Sequence, residues 1–63
     1  MLRIFNVYKQ TGQDRYLFLG KAKTTSHPEA MSRFAPRAKL IQQRPNLSYF
    51  SDNGDTYKVQ YKT

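Results

Sequence analysis

The chain has 63 residues, with 11 Lys and Arg against 4 Asp and Glu for a net charge of +7, and with one histidine and no cysteine. A chain this short buries only about 60% of its unfolded surface, so its single core is small and no disulfide or thiolate metal site reinforces it. No apolar run approaches the roughly 18 residues of a membrane span, and Met1–Phe5 is too soon interrupted by Asn6 and Lys9 to be a signal segment. The expectation is one soluble, cytoplasmic domain over 1–63, read as a complete small reading frame, with acidic partners favoured by its charge.

Residues 2–10 are rich in β-branched and aromatic side chains and predict a strand. Thr11-Gly12-Gln13-Asp14 supplies turn chemistry, and 15–24 returns as a second strand through Tyr16, Leu17, Phe18 and Leu19. The register of this hairpin is open, because both strands carry apolar residues on both faces. Gly20 inside the second strand marks a bulge or a close backbone approach.

Ser26-His27-Pro28-Glu29 has the spacing of a capping box, with proline tolerated in the first turn, and predicts a helix start. Met31, Phe34, Ala35, Ala38 and Ile41 recur at spacings of three and four, extending the predicted helix to about Gln42. Pro36 predicts a kink or break within it, and Pro45 ends it. Asn53-Gly54 suits a two-residue type I′ turn between strands 47–51 and 56–63. Pairing outward from that turn sets Phe50 opposite Tyr57 and Ser48 opposite Val59 on an apolar face. The other face receives Tyr49 opposite Lys58 and Leu47 opposite Gln60. The predicted fold is α+β: a small ββαββ domain, an antiparallel sheet with one Pro-kinked helix packed on one face.

The inventory offers little for catalysis. A triad from Ser26, His27 and a turn aspartate fails because adjacent residues at a helix start do not face one another. Asp52 and Asp55 flank the Asn-Gly turn, where hairpin chemistry explains them. Gly12, Gly20 and Gly54 are too far apart for a phosphate loop. No enzyme activity, cofactor or metal is therefore expected. His27 reads as a polar cap residue; the sharper alternative joins it to Thr24, Thr25 and Ser26 as an anion site at a helix N-terminus.

Two basic surfaces carry the functional expectation. On a helical wheel Arg33, Arg37 and Arg44 share an arc with Leu40, opposite Met31, and arginine suits bidentate contact with phosphate or carboxylate. The open sheet face would set Tyr49, Lys58, Lys62 and Lys21 or Lys23 side by side, an arrangement able to stack bases and neutralise their backbone. The expected function is a small basic binding protein gripping nucleic-acid phosphates of DNA or RNA through these surfaces. The alternative is an accessory or inhibitor protein of the kind phages and mobile elements encode, docking on the acidic surface of a larger protein that handles nucleic acid. A homodimer through an exposed edge of the C-terminal strand is a further expectation. No family motif is complete enough to assign a role to a residue.

Overall fold

The structure is a computed structural model that describes residues 2–61. Its elements are β1 (Arg3–Gly12), β2 (Arg15–Thr24), α1 (His27–Ser32), β3 (Lys39–Gln43), β4 (Leu47–Asp52) and β5 (Asp55–Tyr61). All pairings are antiparallel, in one five-stranded sheet of order β2-β1-β5-β4-β3. The fold is thus mostly β with one short helix, which corrects the ββαββ, α+β expectation. The predicted kinked helix is two different things: six helical residues, then an edge strand.

The reason lies at Pro36. Ser26 accepts the Glu29 N–H at 3.3 Å and starts α1 as its spacing predicts, although the Glu29 carboxylate takes the Thr25 hydroxyl at 2.7 Å instead of returning to Ser26. After Ser32 the helix gives out: Arg33 N–H donates to Ala30 at 3.3 Å and Phe34 to Met31 at 3.0 Å, each spanning three residues, Ala35 makes the last four-residue bond, to Met31 at 2.8 Å, and Ala38 donates to Ala35 at 3.0 Å. Pro36 has no N–H to give to Ser32, and a proline disfavours helical geometry at the residue before it, so the helix does not continue past Ala35. The chain leaves this turn extended, and Lys39–Gln43 pairs with β4 with all five side chains exposed. β3 is therefore held by backbone pairing and not by burial.

The two predicted hairpins are present. Asn53 (φ 51°) and Gly54 (φ 88°) both lie in the left-handed region the type I′ turn needs, and β4–β5 pairs Phe50 with Tyr57, Ser48 with Val59, Tyr49 with Lys58 and Leu47 with Gln60. β5 does not lie at an edge. It pairs with β1 on one side and β4 on the other, so the free edges belong to β2 and β3, and the expected C-terminal edge for self-pairing is not there.

One face of the sheet is covered. Phe5 and Val7 of β1, Ala22 of β2, Val59 of β5 and Phe50 of β4 are buried beneath Ala30 and Met31 of α1 and Ala35 of the following turn. Fully burying side chains such as Phe5, Val7, Met31 and Val59 stabilises the fold by about 1.5–3 kcal/mol each. His27 locks the helix start to the far side of the sheet. It is buried, packs edge-on against Phe5 with ring centroids 4.8 Å apart, and bonds through Nε2 to the Pro45 carbonyl at 3.1 Å. Since a carbonyl only accepts, Nε2 carries a proton, and the buried Ser48 hydroxyl meets Nδ1 at 2.9 Å.

Gly20 has two reasons to be glycine. Its φ is +156°, and a Cβ there would stand 3.1–3.2 Å from the edge of the Phe34 ring. Gly20→Ala should lower the unfolding free energy by about 1–2 kcal/mol in urea denaturation. In a Phe34→Leu background the loss should shrink, because the ring contact is gone and only the backbone strain remains. An unchanged midpoint would show that neither constraint acts.

Candidate nucleic-acid interface

Side chains alternate across a strand, so covering Phe5, Val7 and Val59 sends Asn6, Tyr8 and Lys58 to the other face. On β2 this alternation changes phase. Val7 pairs with Gly20 but Tyr8 pairs with Phe18, which leaves Leu19 as the extra residue of a bulge. Before the bulge Tyr16 and Phe18 point to the uncovered face; after it Lys21 and Lys23 do. The bulge thus joins two lysines and two aromatic rings on one surface, and an unbroken register would have separated them.

The result is a row that crosses the whole sheet. Phe18 lies opposite Tyr8, Tyr8 opposite Lys58, Lys58 opposite Tyr49, and Tyr49 opposite Gln42. The Tyr8 and Phe18 ring centroids are 5.4 Å apart. Lys58 Nζ sits 4.8 Å from the centroid of Tyr8 and 4.1 Å from that of Tyr16, two cation–π contacts of about 0.5–1 kcal/mol each at a partly exposed site. Phe18 remains 50% exposed and Tyr16 36%, so both rings keep surface that a ligand can touch.

Charge is segregated between the faces. Lys21, Lys23, Lys39 and Lys58 share the uncovered side by register, and none of its paired strand residues is acidic. Asp52 and Asp55 pair with each other on the covered side, where Asp55 meets Lys9 at 3.6 Å. Glu29 belongs to the helix, and Asp14 lies in the turn at the tip of the first hairpin. Asp14 acts on one aromatic residue: the Tyr16 hydroxyl is pushed above the ordinary value of 10.0, chiefly through desolvation, then through the charges of Tyr49 and Asp14.

The predicted site residues separate. Tyr49 and Lys58 are neighbours on the uncovered face, and Lys62 lies outside the described residues. Arg33, Arg37, Leu40 and Arg44 form no common arc, because the helix that would align them ends before Arg33. Arg33 is the C-cap of α1, and Arg37 sits in the turn around Pro36. Leu40 is 48% exposed on β3, opposite Phe50. Arg44 follows β3, and its guanidinium lies 3.1–3.2 Å from the Gln42 amide oxygen when that amide is turned to accept. Tyr8, Tyr16 and Phe18 belong to the surface but were not predicted for it. The signal that could have found them is Gly20: a bulge there reverses which β2 residues share a face with Lys21.

One other expectation is corrected. The anion site at the helix start does not form, since Thr24 Oγ1 donates to the Ser26 carbonyl at 3.0 Å, Thr25 to Glu29, and His27 turns inward to Ser48 and Pro45. His27 does stand at the helix start as a polar residue, but it is buried there. The Ser48–His27 pair resembles a nucleophile and base in distance only, for Ser48 is 0% exposed and no substrate can reach it. No helix among the described residues is long and apolar enough to cross a membrane. No protein family, curated protein or solved structure matches the chain, so the functional reading rests on this geometry.

The raised Tyr16 value gives a test of the cluster. Folded Tyr16 holds its proton more tightly than the unfolded chain, so its contribution is intact below about pH 10 and is lost as pH rises through the folded value. An NMR titration of the tyrosine rings should place Tyr16 above the ordinary range. Tyr49→Phe should bring it part of the way down, leaving the desolvation contribution. A Tyr16 midpoint unmoved by Tyr49→Phe would separate the two rings.

Proposed function

We propose that the uncovered sheet face binds single-stranded nucleic acid, DNA or RNA, within the cytoplasm. The observation that carries this reading is the row Phe18–Tyr8–Lys58–Tyr49 on a surface with lysines and no paired carboxylate. Unpaired bases expose π faces that stack on aromatic side chains whatever their sequence, while lysines track the phosphates and release counterions. A duplex hides those faces, so the same surface favours single strands. The arginines of the original expectation have no common role here; the lysines and aromatic rings of the sheet replace them.

A second reading has one observation in its favour. Leu40 and Ile41 are 48% and 58% exposed on the free edge β3, beside Lys39 and Arg44, which suits docking on an acidic protein surface as an accessory or inhibitor. The same edge could pair with a second copy, although a net charge of +7 opposes self-association.

The readings part in an anisotropy titration with a labelled thymine octamer, single-stranded and as a duplex, at low and physiological salt. The single strand should bind more tightly, with affinity falling as salt rises by a log–log slope of about 2–3, the value for three or four neutralised phosphates. Lys21→Ala and Lys23→Ala should each lower that slope by about 0.7. Tyr49→Ala should cost about 1–3 kcal/mol of binding. Arg33→Ala and Arg37→Ala, on the helix side, should leave affinity and slope unchanged. Absence of binding by folded protein at low salt would move the function to the second reading.

A further inference from the structure

Beside the aromatic row runs a second row on the same face: Lys21, Asn6, Gln60 and Leu47, opposite one another in that order across β2, β1, β5 and β4. Asn6 is out of place by every structural criterion. Asparagine is depleted in strands, and this one occupies a strand paired on both sides, where a β-branched residue would pack better. Its Oδ1 is buried and has no hydrogen-bond partner among the described residues, an arrangement that costs a polar group its hydration. Its two cross-strand neighbours, Lys21 and Gln60, are long and exposed, side chains able to move aside for a ligand. Asn6 also stands two residues from Tyr8 on the same strand and face, about 6.6 Å away at the rise of an extended chain.

A carboxamide presents one donor and one acceptor side by side, and turning it about χ2 exchanges them. That pair matches the donor and acceptor on one edge of adenine, the base to which Asn and Gln bind in two-point fashion. We propose that Asn6 gives the single-strand surface a preference for adenine, by pairing with the edge of a base stacked on the adjacent Tyr8 row. The inference rests on the single-strand reading. The unpaired oxygen in the free protein is then the cost of a group kept for a ligand, and filling the position with an apolar residue should relieve it.

Three octamers test this: all thymine, thymine with two central adenines, and the same oligomer with purines lacking the 6-amino group. The protein should bind the adenine oligomer about tenfold tighter than all-thymine, within the range a two-point base contact gives, and the deaminated one like all-thymine. Asn6→Val should melt no lower than the parent, bind all-thymine unchanged and lose the adenine preference. Equal binding of all three oligomers by the parent, a preference that survives Asn6→Val, or tight binding of the deaminated oligomer would overturn the proposal. So would an Asn6→Val protein that loses stability and affinity for every oligomer alike, which marks a structural residue. Failure of the folded parent to bind any of the three instead removes the single-strand reading.

Discussion

A five-stranded sheet has two faces, and this chain has one six-residue helix and a single turn with which to cover them. Everything about the surface follows from that shortage. The small residues Ala22, Ala30 and Ala35 let the helix and turn settle closely over Phe5, Val7 and Val59, and His27 ties the helix start to β4 through Ser48 and to the preceding turn through Pro45. Nothing in the described chain remains to cover the opposite side. Its rings and lysines must satisfy one another laterally, as Lys58 does between Tyr8 and Tyr16, or meet a ligand.

The uncovered side is also where the charge imbalance is expressed. Carboxylates lie on the covered side, on the helix or in turns, so the paired strand residues of the uncovered face carry Lys21, Lys23, Lys39 and Lys58 with no acidic residue among them. A surface of one sign attracts polyanions over a distance of the order of the Debye length, and the proposed role of the aromatic row is to hold them there by stacking. The bulge at Leu19 links the two properties, since it alone brings the lysine half and the aromatic half of β2 to one side. Gly20 makes that bulge affordable to the backbone and leaves room for Phe34 on the other side.

Much of this was legible in the residues, and what was not has identifiable causes. The C-terminal hairpin could be read pair by pair because Asn53-Gly54 fixes a turn type, and the turn type fixes the register. The helix start was legible in Ser26 and Pro28. Its length was not: Phe34, Ala35, Ala38 and Ile41 keep helical spacing by coincidence, Phe34 and Ala35 packing from a turn while Ile41 is a bulge residue of β3. Pro36 left a kink and a break both open, and a five-residue strand with no buried side chain leaves no apolar alternation to detect. The position of β5 between β1 and β4 was hidden for another reason, because a pairing between the two ends of a chain has no local signature. The arginine surface was lost with the helix, whereas Tyr49 and Lys58 survived because their placement depended only on the hairpin turn.

The central claim is that one face of the sheet is closed by the protein itself and the other receives the ligand. It is tested most directly by backbone and ring NMR shifts recorded while a short single-stranded oligonucleotide is added. The account predicts shifts concentrated at Tyr8, Phe18, Lys21, Tyr49 and Lys58, with Ala30, Met31 and Arg33 nearly still. Shifts centred on the helix side, or spread evenly over both faces, would contradict it.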